Sequence, residues 1–285
     1  MARVIAARGY TDAERRHFLR YTRTQSWPML QRFPVDDDLH AELLAQMLAC
    51  TPETIRALLR SLHDEARAAA AQLLADDHYR DAVAGLPFRP EDRIAAVGDS
   101  ITADRLGWFE LLAASIDLTG APQATLVNLG ISGNTTADVL ERFDLVEAVR
   151  PTRVLLMLGT NDARAHGRTG RYRMATTEET GRNLRALVDL ITRDLNAPVT
   201  IITPPAVNQG RIDSFFSDAP LHWQATAVAE VAGVVHQAAP DALDLHDAIS
   251  AHGTDDLLES DGVHPTPAGQ RLILARIVDH LRTVG

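Results

Sequence analysis

The chain has 285 residues, a formal net charge of −10 and a single cysteine. This length is ample for a sizeable hydrophobic core, and the negative charge disfavours nucleic acids and anionic membranes as partners, since both attract basic surfaces. One cysteine allows neither an intramolecular disulfide nor a cysteine-based zinc site. The first residues lack the apolar segment and the cleavage site of a secretory signal, and no apolar stretch is long enough for membrane insertion. We therefore expect a cytoplasmic protein.

The first 90 residues predict a helical extension. Thr51 followed by Pro52 is typical of a helix N-cap with proline at the first helical position. Apolar residues recur after it at helical spacing, and an earlier helix is expected over residues 38–50. One glycine and two prolines at 85–90 then interrupt the helical pattern. We place the boundary there, with the extension at 1–90 and a second domain at 91–285.

The role of this extension stays open at the level of sequence. Its helices around Cys50 and Thr51 are superficially similar to a helix-turn-helix, but residues 1–90 contain equal numbers of arginine and acidic residues, which disfavours DNA binding. The alternatives are a homodimer contact, a surface that recruits a partner, and a lid formed by the apolar cluster around Trp27 and Phe33.

Residues 91–285 alternate between strand-like and helix-like segments. The predicted strands cover 93–98, 124–129, 153–158, 198–203 and 241–245, and the predicted helices cover 104–117, 136–149, 177–195, 220–238 and 267–282. Such alternation is typical of an α/β fold in which helices cover both faces of a parallel sheet.

Four polar motifs follow strand-like segments in this part of the chain. They contain Ser100 in Gly-Asp-Ser, Gly133 in Gly-Ile-Ser-Gly, Asn161 in Gly-Thr-Asn-Asp, and the pair Asp261 and His264 in Asp-Gly-Val-His. Because the carboxyl ends of parallel strands face the same edge of a sheet, residues just after several strands converge in space. We expect these five residues to form one site.

Their chemical types fit nucleophilic catalysis. Ser100 would attack a carbonyl carbon, His264 would take and return the proton, and Asp261 would orient the imidazole. The backbone N–H groups of Ser100 and Gly133 and the side-chain amide of Asn161 would stabilise the oxyanion.

The four motifs, in this order, resemble those of the SGNH (GDSL-type) serine hydrolases. The resemblance covers about residues 93–282, and it departs from many members only in having Ile101 after Gly-Asp-Ser where they have leucine. It implies a flavodoxin-like three-layer α/β/α fold and an esterase or lipase activity. It assigns Ser100 as the nucleophile, Asp261 and His264 as the base pair, and Gly133 and Asn161 as oxyanion donors. Residues 1–90 match nothing in the family.

Two other kinds of hydrolase fit the residues less well. The nucleophile elbow of α/β-hydrolases requires a second glycine, where this chain has Thr102. The histidines show no His-Glu-x-x-His pattern, so a metallohydrolase is disfavoured. We expect no cofactor and no metal.

Two long connections are candidates for substrate binding. The first, 163–175, is rich in arginine, and Arg164 and Arg168 could bind an anionic group near the scissile ester. The second, 203–220, contains Phe215 and Phe216, which could line an acyl pocket.

We therefore expect a serine hydrolase that cleaves carboxylic esters, with a short acyl or acetyl group, of a small metabolite or sugar. The same triad could instead transfer the acyl group to another acceptor. From a different class, the alternative is a noncatalytic module that recruits a partner through its N-terminal helices.

Overall fold

A four-stranded parallel sheet lies at the centre of the molecule. The computed structural model describes residues 9–120, 124–167 and 172–284. The strands are β1 (Arg93–Gly98), β2 (Thr125–Asn128), β3 (Arg153–Met157), β4 (Ala165–His166), β5 (Tyr172–Arg173), β6 (Val199–Ile202) and β7 (Leu221–His222). The central sheet has the order β2-β1-β3-β6, and the three two-residue strands form a separate antiparallel sheet of order β5-β4-β7.

Helices cover the sheet and form most of the extension. The helices are α1 (Asp12–Tyr21), α2 (Pro28–Gln31), α3 (Asp37–Met47), α4 (Pro52–Leu73), α5 (Asp77–Ala84), α6 (Ser100–Ala103), α7 (Trp108–Thr119), α8 (Thr136–Glu141), α9 (Phe143–Val149), α10 (Thr177–Asp189), α11 (Gln209–Phe215), α12 (Ala225–Ala238), α13 (Leu245–His252) and α14 (Pro267–Val284). Within the described ranges, no helix combines the length and the apolar character needed to cross a bilayer.

The central strands are buried on both faces. Ile94 and Ala96 of β1 belong to one apolar cluster with α5, α7, α13 and α14, whereas Ala95 and Val97 belong to a second cluster with α8, α9, α10 and α12. This division follows from the two-residue period of a strand, which points successive side chains to opposite faces. The predicted three-layer α/β/α architecture with a parallel sheet is confirmed.

Several predicted elements differ in the structure. The expected helix over 136–149 is divided at Arg142, whose buried guanidinium donates to Asn134 Oδ1 (2.8 Å) and to the Leu129 carbonyl oxygen (2.9 Å). The expected strand 241–245 is reduced to one parallel bridge between Ile202 and Leu243. Leu245, the last residue of the expected strand, instead begins α13. Thr203 Oγ1 accepts hydrogen bonds from the N–H groups of residues 245 and 246.

The extension packs directly on the central part of the molecule. The two predicted helices are present as α3 and α4, and α1 and α5 are additional. Ala66 of α4 and Val83 of α5 are buried in the same cluster as Leu112 of α7 and Ile94 of β1. A separate apolar cluster lies within the extension, around Leu19 and Leu44, and Leu106 packs against it. The helices at 1–90 and the sheet domain thus share apolar core.

Close contacts around Gly98 give a test of this packing. A Cβ at this position would lie 2.8 Å from the carbonyl oxygen of Met157 on the neighbouring strand, so the backbone would have to move. We expect Gly98→Ala to lower the free energy of unfolding by about 1–3 kcal/mol in chemical denaturation.

The control is Gly233→Ala in α12, where a Cβ would meet no atom within 4 Å. Alanine favours the helix at this position, so this variant should be up to about 1 kcal/mol more stable than wild type. Equal stability of the Gly98 variant and wild type would contradict the close approach of β1 and β3.

Candidate active site

Ser100 lies directly after the central strand β1. This strand ends at Gly98, and Asp99 caps α6 by accepting a hydrogen bond from the N–H of Ile101 (3.0 Å). Ser100 is therefore the first residue of a short helix at the carboxyl edge of the sheet. Its Oγ is 2.9 Å from Nε2 of His264.

His264 lies on a tight loop before α14. Its Nδ1 is 2.6 Å from Asp261 Oδ2, and the other carboxylate oxygen accepts hydrogen bonds from the N–H groups of Val263 (2.8 Å) and His264 (2.9 Å). Gly262 has a φ of +74°, and a Cβ there would lie 2.5 Å from the Asn208 carbonyl oxygen. This loop thus requires glycine and holds the carboxylate and the imidazole in one fixed arrangement.

The carboxylate and the imidazole shift each other's pKa in opposite directions. Burial alone would lower the pKa of His264. The hydrogen bond and the negative charge of Asp261, with further negative charge from Asp99 and Asp104, outweigh burial and raise that pKa above its ordinary 6.5. Burial alone would raise the pKa of Asp261. The hydrogen bonds between Asp261 and His264 and the positive charge of the His264 imidazolium instead hold the pKa of Asp261 below its ordinary value. The pair therefore favours a carboxylate beside an imidazole that accepts a proton readily.

Gly133 and Asn161 lie on the loops after β2 and β3 and line the same cavity as Ser100. Gly133 has a φ of +86°, a left-handed conformation that strongly favours glycine. Oδ1 of Asn161 accepts from Arg164 Nη1 (3.3 Å), and arginine is a donor only, so this contact fixes which side of the amide carries Nδ2. Nδ2 donates to the Asn134 carbonyl oxygen (3.2 Å) and faces Asp99 Oδ2 (3.4 Å).

Two buried carboxylates support these loops. Asp162 accepts hydrogen bonds from the backbone N–H of Thr136 (3.1 Å), from its hydroxyl (2.5 Å) and from the hydroxyl of Thr180 (3.3 Å), which ties the loop after β3 to α8 and α10. Asp99 is buried as well, and burial raises its pKa to about 6 despite the Ile101 N–H and the charge of His264.

A cavity of about 500 Å³ opens beside Ser100. Arg164, Phe215 and Phe216 line it together with the five residues of the four motifs. Phe215 is exposed at 58%, whereas Phe216 is half-buried and its ring packs against that of Trp223 at 5.2 Å. Arg168 lies outside the described residues.

Arg164 has an unusual environment for an arginine. Its Cζ lies over the ring of Trp223, 5.7 Å from the ring centroid, and its Nε is buried without a hydrogen-bond partner. Within the described part of the chain it forms no ion pair with a carboxylate. Burial lowers the pKa of Arg164, and the charges of Asp138 and Asp99 oppose this effect.

Further residues at this cavity were not predicted from the sequence. Arg20 and Tyr21 of α1 and Trp223 also line it. The Thr11-x-x-Glu14 capping box would have predicted the start of α1, but no local pattern indicates that its last turn reaches the site. Within the described ranges, no group of three or more His, Cys, Asp or Glu side chains is arranged to hold a metal ion.

This arrangement can activate a hydroxyl. An imidazole bonded to both a serine hydroxyl and a carboxylate can remove the serine proton as the oxygen attacks an electrophilic carbon. Nearby N–H donors can stabilise negative charge that develops on the attacked group.

Comparisons with known proteins agree with this chemistry. The model of the GDSL-like lipase/acylhydrolase family matches residues 96–272. A lipase/acylhydrolase from Enterococcus faecalis is 27% identical, with a TM-score of 0.55 over 67% of this chain and 96% of that one. A catalytic mutant of an acetylxylan esterase from Geobacillus stearothermophilus is 21% identical and similar in fold, with a TM-score of 0.53 over 68% of this chain and 95% of that one. The search of curated proteins found no match.

The pKa of His264 can be measured directly. We expect its ring proton signals in NMR to titrate with a midpoint above 6.5, because Asp261 favours the imidazolium. In Asp261→Asn the largest favourable charge is absent while burial remains, so the midpoint should fall relative to wild type. The signal is assigned with His264→Gln, and the other histidines serve as internal references. A wild-type midpoint below 6.5 would contradict the coupling of the pair.

Proposed function

Because the chain belongs to the GDSL-like lipase/acylhydrolase family and is a carboxylic ester hydrolase, we propose that it cleaves short-acyl esters of a small metabolite or sugar through an acyl-enzyme on Ser100. The observation that carries this proposal is the unbroken chain of hydrogen bonds from Ser100 Oγ through His264 to Asp261, at 2.9 Å and 2.6 Å. All three side chains border the cavity.

In the first half of the reaction, Ser100 Oγ attacks the ester carbonyl carbon while His264 Nε2 removes the hydroxyl proton. The tetrahedral intermediate carries its negative charge on the former carbonyl oxygen. The backbone N–H groups of Ser100 and Gly133 and Nδ2 of Asn161 donate to this oxygen, and one such donor is worth roughly 10²–10³ in turnover. His264 then gives its proton to the departing alcohol as the carbon–oxygen bond breaks.

In the second half, water attacks the acyl-enzyme. His264 takes a proton from this water, a second tetrahedral intermediate forms on the same donors, and its collapse returns the proton to Ser100 and releases the acid. Asp261 stays ionised throughout and stabilises the imidazolium in both halves. The low pKa of Asp261 supports this role.

The walls of the cavity favour a small substrate with an apolar part. Trp223, Phe216 and Leu221 belong to one apolar cluster and line the cavity, and the volume of about 500 Å³ is typical of small-molecule sites. Phe216 and Trp223 contact the acyl group in this proposal, and the more exposed Phe215 lies at the rim.

The position of Arg164 at the cavity favours a substrate that carries an anionic group. A guanidinium that lines the cavity and forms no ion pair with a carboxylate of the described residues favours a carboxylate or phosphate group on the substrate. We therefore place a negatively charged group of the substrate at Arg164, close to the scissile ester.

The nucleophile is tested by Ser100→Ala. Hydrolysis of p-nitrophenyl acetate should fall by about 10⁴ or more, because the only covalent acceptor of the acyl group is removed. The matched control, Ser217→Ala, changes an exposed serine outside the cavity and should keep the wild-type rate. The thermal midpoints show whether both variants fold. Residual hydrolysis near the wild-type rate in Ser100→Ala would refute the proposal.

The anionic subsite is tested by Arg164→Gln with two matched pairs of esters. The first pair compares the p-nitrophenyl esters of succinate and butyrate, with charge on the acyl side. The second compares 4-acetoxybenzoate with 4-acetoxybenzamide, with charge on the alcohol side. Wild type should prefer the anionic member of one pair, and Arg164→Gln should reduce that preference in kcat/KM by about 10-fold.

The ratio of kcat/KM between the anionic and the neutral ester is the informative quantity. Arg164 also contacts Asn161, so the substitution of Arg164 can slow the hydrolysis of all esters alike. Arg173→Gln is the control, because this arginine follows in the same connection but pairs with Glu230. The subsite is refuted if wild type shows no anionic preference in either pair, or if Arg164→Gln preserves it.

A further inference from the structure

The last turn of α1 contacts the loop that carries the catalytic base. Arg20 Nη1 donates to Glu259 Oε1 (3.1 Å), and its Nη2 lies 3.5 Å from the Pro265 carbonyl oxygen. These two contacts flank His264 in sequence. Glu259 is itself part of the loop turn, because its N–H donates to the carbonyl oxygen of His264 (2.7 Å). Arg20 therefore contacts the base loop both before and after His264 in the sequence.

The same guanidinium also holds the segment that carries the nucleophile. Its Nε and Nη2 donate to the two oxygens of Asp104, each at 2.7 Å. Asp104 is fully buried and ends α6, and its N–H donates to the carbonyl oxygen of Ser100 (3.0 Å). One planar side chain from the extension thus connects the two segments whose reacting atoms are Ser100 Oγ and His264 Nε2.

Tyr21, the next residue, contacts the site in two further ways. Its ring packs against the imidazole of His264, with the ring centroids 4.8 Å apart and tilted by 48°. Its carbonyl oxygen accepts a hydrogen bond from Ser132 Oγ (2.5 Å), directly beside Gly133. Tyr21 also lines the cavity. It therefore lies against both the base and the loop of a proposed oxyanion donor.

The backbone around these two residues is fixed by arginines of the central domain and of the extension. The side chain of Arg105 donates to the carbonyl oxygens of Leu19 (3.0 Å) and Thr22 (3.3 Å). The backbone N–H of Arg105 donates to the carbonyl oxygen of Arg20 (2.9 Å). Arg23 Nε donates to the carbonyl oxygen of Ala103 (2.7 Å). We call residues 19–23 the N-terminal strap.

We propose that the N-terminal strap is part of the active site: Arg20 positions His264 against Ser100, and Tyr21 forms the wall of the substrate cavity over the imidazole. This inference rests on the proposed function, since it assigns positioning and specificity roles for the same reaction. In this proposal the extension contributes two residues to the active site, so residues 91–285 alone form an incomplete site.

The role of Arg20 depends on the shape of its side chain. A guanidinium has five donors in a rigid plane, so it can bond two carboxylates and a carbonyl group at once, whereas the single ammonium of lysine cannot reproduce this fork. Misplacement of a catalytic group by about 1 Å can cost about 100-fold in rate. A lysine at position 20 should therefore keep a positive charge beside Asp104 but lose control of the base loop.

The positioning role is tested with Arg20→Lys. We expect kcat for p-nitrophenyl acetate to fall about 10- to 100-fold with KM changed less than about 2-fold. The rate of Ser100 labelling by a fluorophosphonate should fall in parallel, because labelling also needs the hydroxyl activated by His264. Arg16→Lys is the control on the same helix: Arg16 bonds Ser61 and Glu65 within the extension and should leave both rates unchanged.

A second variant covers the case in which Arg20→Lys does not fold. Glu259→Gln leaves the buried contact of Arg20 with Asp104 intact and weakens only the link to the base loop. Its carboxylate is 36% exposed, so the neutral amide is tolerated. We expect both rates to fall about 3- to 10-fold at an unchanged thermal midpoint.

The wall is tested with Tyr21→Ala and Tyr21→Phe. Alanine widens the cavity, so the ratio of kcat/KM for a bulky ester, p-nitrophenyl pivalate, to that for the acetate should rise several-fold. Phenylalanine keeps the ring, and the ratio should stay at the wild-type value. An unchanged ratio in Tyr21→Ala would refute the proposal that Tyr21 forms a wall of the substrate cavity.

The outcomes separate this inference from the proposed function. If Ser100→Ala is inactive and both Arg20→Lys and Glu259→Gln retain wild-type hydrolysis and labelling rates, the positioning role is wrong and the proposed function stands. If Ser100→Ala retains activity, both are wrong. Parallel loss of hydrolysis and labelling in a folded Arg20 or Glu259 variant, with Ser100→Ala inactive, supports both.

Discussion

The fully buried carboxylate of Asp104 is the interaction on which the arrangement of the site depends. A charge without exposed surface has to be neutralised and hydrogen-bonded inside the protein. Asp104 satisfies this requirement with Arg20 at 2.7 Å, with the N–H of Leu106 at 2.9 Å and with Nε2 of Gln270 at 3.1 Å. Gln270 in turn accepts from the N–H of Trp108 (2.9 Å). One carboxylate therefore connects α1, the connection after α6, and α14.

This network explains why residues far apart in sequence meet with fixed geometry. Removal of one partner from a buried ion pair typically costs about 3–5 kcal/mol, because the other charge is left buried and uncompensated. Arg20 and Asp104 thus stabilise each other's position strongly. Since Ser100 begins the helix that Asp104 ends, and Gln270 follows the loop of His264, the buried network supports both ends of the Ser100–His264 hydrogen bond.

The sequence was sufficient to predict the four strands of the central sheet and the four polar motifs because both are local signals. A strand buried on two faces is a short apolar run, and β1 and β3 occupy the predicted ranges within one residue. Three of the four motifs follow β1, β2 and β3, so the convergence of Ser100, Gly133 and Asn161 could be expected from the geometry of parallel sheets. The fourth motif lies instead on the loop between α13 and α14. Phe216 and Arg164 were predicted from their loops, and both line the cavity.

The remaining features depend on tertiary contacts that leave no local pattern. Arg20 is separated by 84 residues from Asp104 and by 239 from Glu259, and nothing in its neighbourhood distinguishes it from other helical arginines. The division of a helix at Arg142 follows from a buried guanidinium bonded to two residues of the loop between β2 and α8. The predicted strand at 241–245 shortens because Asp244 caps α13 there and Thr203 Oγ1 accepts from the first N–H groups of that helix. In each case a long-range hydrogen bond outweighs the local preference.

The apolar cluster shared by the extension and the sheet domain has a consequence for how the protein loses its structure. Ala66 and Val83 cover the same helix, α7, that packs on the sheet through Leu112. Detachment of the extension would expose that apolar surface to water, so the helices before residue 90 and the sheet are expected to melt in one cooperative transition. A protease that cut near residues 85–90 would then leave two fragments that adhere to each other, and neither would be a stable, separately folded enzyme.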